Sequence, residues 1–257
     1  MSTADADGDA VRVRVGPHTL RSSTWDRSTK GPGGRPLVLL NGLGMGLETW
    51  APFRRALGHR PTVALDLPGT GGSSTPAFPP SIGELARATV GALDALGCEE
   101  FDLLGFSFGG TIAQELARTL PSRVVHLVLA ATNWGVGSPL GNLTGFAAWC
   151  AANANAAAGL RAIGPWWQIL AVSTWSSWPW LGRLQQPTLV LAAADDQVVP
   201  LRAAEHIAAT IPRATLVVVA GAGHGFLLDS AHVEVAARLV AEHLDDDEDV
   251  RDLEAHA

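Results

Sequence analysis

Cysteine is scarce in this chain. The two present, Cys98 and Cys150, form no C-x-x-C pair, and no Cys/His cluster has the spacing of metal ligands. The composition therefore calls for neither a disulfide framework nor a metal, and no cofactor is expected. Charge is sparse as well, with Asp, Glu, Lys and Arg making up 17% of 257 residues. The formal net charge of −7 belongs to the ends: residues 1–10 carry three Asp, and residues 244–257 carry seven acids against Arg251. The stretch 11–243 is left at about +2 with no basic cluster, which excludes nucleic acid as the expected partner. No apolar run is long enough to cross a bilayer, and MSTADADGDA lacks the basic and apolar regions of a signal peptide. A soluble cytoplasmic protein is the expectation, with residues 1–10 and 244–257 as flexible, solvated tails.

Apolar residues make up 47% of the chain, enough for one sizeable core. Continuous apolar runs at 36–40, 62–66, 101–104, 124–130, 188–192 and 214–220 alternate with helical patterns. Strands that are apolar throughout predict a mostly parallel sheet covered by helices on both faces. Val11 to Val15 alternates with period two, and residues 18–25 can return as its hairpin partner. Residues 27–35 read as a polar loop, and Ser81-Ile-Gly-Glu84 has capping-box spacing ahead of a helix lined by Ile82, Leu85, Leu93 and Leu96. Core is thus expected over 11–132 and 186–243. The segment between, 133–185, differs in composition: it has no Asp or Glu and holds seven of the nine tryptophans. It reads as an inserted helical cap that must bury aromatic surface, with Trp134 and Trp167 as candidates to face a substrate.

The chemistry gathers around Gly105-Phe106-Ser107-Phe108-Gly109-Gly110. An apolar strand precedes it and a good helix former follows, so the serine sits at a strand-to-helix turn in a G-x-S-x-G pattern. The turn is tight enough that side chains two positions from the serine would collide with backbone, which glycine avoids. A serine hydroxyl needs a base, and the base needs an orienting acid. Of eight histidines, only His224 follows the last core strand directly, between Gly223 and Gly225. The loop after the 188–192 strand offers two acids; Asp196 is chosen because Val198-Val199-Pro200 can pack down and leave it at the apex, and Asp195 is the alternative. Two backbone amides are needed for an oxyanion. Phe108 should supply one and Leu43, in Asn41-Gly42-Leu43-Gly44, the other. Asp66 is expected to organise its own glycine-rich turn.

The spaced set NGLG, DLPGTGGS, GFSFGG, DDQVVP and GAGHG resembles the α/β-hydrolase superfamily over about residues 36–243. The stretches LLNGLGMGLETWAPF and PWWQILAVSTWSSWPWLGRLQQPTLVLAAADDQVVPL are most similar to intracellular poly(3-hydroxyalkanoate) depolymerases. The resemblance implies an α/β-hydrolase fold and a serine esterase acting on apolar hydroxyacyl esters, with Ser107, Asp196 and His224 as its triad. The cap before Gly164 is shorter than that family's usual one, so small esters or lactones fit as well as a polyester. Acyl transfer by the same triad is an alternative, as is a small-ligand receptor on the same fold. An apolar granule surface is a candidate partner for the Trp-rich segment. Oligomeric state is not fixed by these patterns.

Overall fold

A computed structural model describes residues 9–25, 35–139, 141–152 and 162–255, without the side chains of residues 9 and 152 and of 246–255. Most of the expected 27–35 loop and of the N-terminal tail lies outside these residues. Among them, the strands are β1 (Asp9–Val15), β2 (His18–Trp25), β3 (Leu37–Leu40), β4 (Thr62–Leu65), β5 (Phe101–Phe106), β6 (Val124–Ala130), β7 (Thr188–Ala193) and β8 (Ala214–Val219). They form a single sheet in the order β1-β2-β4-β3-β5-β6-β7-β8. The expected hairpin pairs antiparallel, β2 meets β4 antiparallel, and every pairing from β4 to β8 is parallel.

The helices are α1 (Ala51–Leu57), α2 (Ile82–Ala95), α3 (Phe108–Thr119), α4 (Leu143–Ala152), α5 (Ile163–Ser173), α6 (Leu201–Thr210) and α7 (Val233–Ala255). Strand residues alternate between two cores, as period-two geometry requires. Val38 and Leu40 join the layer under α2, α3 and α6, whereas Leu37 and Leu39 join the layer under α1 and α7. The capping box forms as its sequence predicts: Ser81 N–H donates to Glu84 Oε2 at 2.7 Å, and Glu84 N–H to Ser81 Oγ at 3.2 Å. Such a cap contributes about 1 kcal/mol. The backbone of α7 continues through the acidic segment from residue 244 to Ala255. No glycine or proline follows Gly225 to end that helix.

Strands β3 and β5 are neighbours, yet the chain leaves β3 toward β4 and leaves β5 toward β6, in opposite directions along the sheet. A crevice opens at such a switch point, outside the carboxyl ends of the strands. The Asn41–Gly46 loop and the Ser107 turn border it. No helix among the described residues is long and apolar enough to cross a membrane.

Candidate active site

Ser107 is one of two non-glycine residues with positive φ among those described, at φ 52° and ψ −118°. That conformation costs about 1–3 kcal/mol, so the surroundings must enforce it. They do so on both sides of the residue. Ser107 N–H donates to Ala130 O at 2.8 Å, and Thr132 Oγ1 donates to Ser107 O at 2.7 Å. The glycines are demanded by the same turn. A Cβ on Gly105 would lie 2.6 Å from Gly109 O and from Gly110 Cα, and one on Gly109 would lie 2.3 Å from Leu40 O. Gly110, which the G-x-S-x-G pattern does not cover, leaves room for the Thr132 side chain, 2.3 Å from where its Cβ would be. The elbow is thus clamped between the ends of β3 and β6.

His224 reaches this hydroxyl from the loop after β8. Its Nε2 lies 3.0 Å from Ser107 Oγ, and its Nδ1 lies 2.8 Å from Asp196 Oδ2. The other Asp196 oxygen, Oδ1, accepts from Val198 N–H and Val199 N–H, each at 2.8 Å. The Val198-Val199 segment therefore does more than pack down: its amides hold the carboxylate that faces the imidazole. Asp195, the other acid considered, is exposed, whereas Asp196 and His224 are buried. An acceptor on Nδ1 fixes the tautomer in which Nε2 can receive a proton.

The Asn41–Gly46 loop is built from buried polar contacts. Asn41 Nδ2 donates to Met45 O at 3.1 Å, and Trp50 Nε1 donates to Asn41 Oδ1. Gly42 leaves space for the Phe106 ring, which would lie 3.1 Å from a Cβ there. Asp66 organises more than its own turn: it accepts from Gly72 N–H and also from Leu47 N–H, both at 2.7 Å, tying two loops together. Burial raises the Asp66 carboxyl from its ordinary value, against the pull of those amides and Arg21. Leu43 lies on this loop and Phe108 is the first residue of α3, where backbone N–H groups lack intrahelical partners.

Of the two candidate substrate-facing tryptophans, Trp134 has its ring 4.3 Å from His206 and 5.5 Å from Trp178, centroid to centroid, and belongs to the sheet's apolar layer. The ring against the imidazole is Trp149 of α4, 5.1 Å from His224 in an edge-on arrangement. Trp167 is half-buried and donates Nε1–H to Pro76 O at 3.3 Å, which seats α5 on the core. Before α4, Gly141 N–H and Asn142 N–H donate to Val198 O and Gln197 O, beside the acid loop. Sequence reasoning also passed over Gln168 of α5, whose Oε1 accepts from Gly44 N–H at 2.9 Å. A lone amide in the apolar run IGPWWQILAVS was the available signal.

Comparison with known proteins agrees with this fold. The family model described as alpha/beta hydrolase fold matches residues 35–168 and 158–231. The chain belongs to the α/β-hydrolase family. A poly(3-hydroxyalkanoate) depolymerase from Ectopseudomonas oleovorans is similar to this α/β-hydrolase, at 33% identity over 273 residues, spanning 94% of this chain and 91% of that protein. A solved hydrolase from Pseudomonas aeruginosa PA01 matches with a TM-score of 0.77 at 25% identity, over 92% of this chain and 98% of the other. The enol-lactonase from Burkholderia xenovorans LB400 shares the fold, with a TM-score of 0.77 at 21% identity over 91% and 99% of the two chains. This α/β-hydrolase is an enzyme of the carboxylic ester hydrolase class.

Proposed function

We propose that the protein is a serine esterase for apolar acyl or hydroxyacyl esters, of the kind a poly(3-hydroxyalkanoate) depolymerase cleaves. The observation that carries this reading is the unbroken chain of contacts from Ser107 Oγ through His224 to Asp196, mounted on the strained turn after β5. In it, His224 Nε2 takes the Ser107 proton as Oγ attacks the ester carbonyl. The Leu43 and Phe108 amides receive the developing oxyanion. His224 then passes the proton to the leaving alkoxide, giving an acyl-serine and a free alcohol. A water, deprotonated by His224, releases the acid and restores Ser107. Asp196 stabilises the imidazolium during both transfers.

Residues 133–185 act as the cap in this reading, over a core of 11–132 and 186–243. Trp149, edge-on to His224, supports an apolar wall for the acyl chain. Trp167 contributes through its position on α5, next to Gln168. A substrate with an apolar acyl group suits a lid without acids and with only Arg161 and Arg183 for charge.

Hydrolysis of p-nitrophenyl esters from acetyl to dodecanoyl tests this directly, with the parent beside Ser107→Ala. Turnover is expected to rise from acetyl toward the longer acyl groups and to vanish nearly completely in Ser107→Ala, with the melting temperature little changed. A Ser107→Ala chain that keeps most of its turnover would overturn the mechanism. A strict preference for acetyl would overturn the apolar-acyl specificity while leaving the triad intact.

A further inference from the structure

Two non-glycine residues among those described have positive φ, Ser107 at 52° and Ala131 at 47°. The first belongs to the nucleophile turn, but the second has no part in the triad. Alanine gains nothing by itself in that region, where its Cβ crowds the backbone. The two residues lie side by side, each one position beyond the paired strand ends Phe106 of β5 and Ala130 of β6. Ala131 N–H still donates to Leu191 O at 2.9 Å, so the chain is held against β7 up to that residue. The consequence of the strain falls on the next side chain. Val128 and Ala130 belong to the layer under α1 and α7, and strict alternation would send Thr132 there as well. Ala131 joins that layer out of turn, and Thr132 is delivered to α3 on the opposite face. A Cβ on Gly110 of α3 would lie 2.3 Å from Thr132 Oγ1 and 2.5 Å from Thr132 Cβ. In this buried position the Thr132 hydroxyl donates to Ser107 O at 2.7 Å, alongside Gly110 N–H, which donates to the same oxygen at 2.9 Å.

We propose that Thr132 is a positioning residue for the oxyanion, acting through the peptide between Ser107 and Phe108. This rests on the serine-esterase reading, in which Phe108 N–H receives the oxyanion. Ser107 C=O and Phe108 N–H are the two ends of one rigid planar unit and point in opposite directions. A hydroxyl that fixes the oxygen therefore fixes the aim of the N–H. The same hydrogen bond draws electron density toward the carbonyl oxygen, which makes the N–H a stronger donor. Both lone pairs of that oxygen are then in use, one by the helix and one by Thr132. The strain at Ala131 thus serves the strained turn beside it, by bringing a hydroxyl to the one peptide that must not rotate when negative charge develops.

Thr132→Val removes the hydroxyl and keeps the shape, whereas Thr132→Ser keeps the hydroxyl. On p-nitrophenyl octanoate, Thr132→Val is expected to lose about ten- to hundredfold in kcat with KM little changed, less than the loss from deleting an oxyanion donor outright. Thr132→Ser should recover most of that loss. A second measurement isolates the oxyanion. An alkyl trifluoromethyl ketone takes Ser107 Oγ onto its carbonyl carbon as the C=O double bond opens, the proton passing to His224 and the negative charge to the ketone oxygen. Its inhibition constant should rise in Thr132→Val by the factor by which kcat/KM falls, while the matching methyl ketone, which does not add, should bind parent and variants alike. Turnover of Thr132→Val equal to the parent's would overturn the proposal. So would a loss that serine does not restore, or a trifluoromethyl ketone constant that stays put while kcat falls. Should the valine chain melt below the assay temperature, Thr132→Ala, which leaves a small void in place of a methyl against the carbonyl, carries the same expectations. A parent without Ser107-dependent turnover would remove the esterase reading and this proposal together, whereas a working parent beside an equally active Thr132→Val removes the proposal alone.

Discussion

Asp196→Asn is expected to lower kcat/KM by about four orders of magnitude, the scale set when a triad imidazole is locked in the wrong tautomer. The reason lies in the amides of Val198 and Val199, which both donate to Asp196 Oδ1. They would hold the oxygen of the new asparagine on their side, because turning the amide round would set its NH2 against two N–H donors. Its NH2 must then face His224 Nδ1, where Asp196 Oδ2 now sits at 2.8 Å. A donor at that point forces the proton onto Nε2, and Nε2 can no longer accept from Ser107. Shape and volume are nearly unchanged, so the melting temperature should stay close to that of the parent. Steady-state kinetics on a p-nitrophenyl ester, with a thermal melt, check both halves. A loss of less than tenfold would mean that the proton does not travel by this route.

Gly109→Ala is expected to cost stability as well as activity. The added Cβ would lie 2.3 Å from Leu40 O, 2.6 Å from Leu40 C and 2.7 Å from Asn41 O. All three are backbone atoms at the end of the central strand β3, so no side chain can swing aside to relieve the contact. The helix carrying Phe108 must move away from the Asn41 loop, which separates the two proposed oxyanion amides. Overpacking of that kind costs on the order of 3 kcal/mol, a fall in Tm of roughly 6–12 °C for a chain of this size. Gly83→Ala serves as the control, because the nearest atom to its Cβ is 3.8 Å away, at the tip of Arg87. Differential scanning calorimetry of both variants decides the matter. A Gly109→Ala chain that melts with the parent would show that the elbow has more room than its contacts imply.

The core and the placement of the candidate site were legible because their signals are local. Apolar runs of four to seven residues, each followed by glycine-rich or acidic loops, name both the strands and the loops at their carboxyl ends. His224 between two glycines and Ser107 in its strand-turn-helix context needed no knowledge of distant contacts. Asp196 was separable from Asp195 through the residues that follow it, although the physical agent is a pair of backbone amides rather than packing. The insertion is different. Its α4, LTGFAAWCAA, is apolar all round, so no periodicity says which side faces the core. Trp134, in the turn after β6, and Trp149, in α4, thus carry no local signal of what each ring faces. Only the fold puts His206 of α6 against the first and His224 against the second. The polar exception in an apolar helix, Gln168, carried more information than the tryptophans that precede it. At the C-terminus, charge density pointed to a tail, and the absence of glycine and proline lets the backbone of α7 run on to Ala255.

The central claim is that Ser107 is the nucleophile that His224 activates. Treatment with a fluorophosphonate, followed by intact mass and peptide mapping, tests it most directly. The expected result is one phosphonyl group per chain, on the peptide containing Gly105 to Gly110, with turnover lost in proportion to labelling. Ser107→Ala should take up none, and Asp196→Asn should label far more slowly than the parent. Labelling at a different residue, or full labelling of Ser107 with turnover intact, would contradict the account.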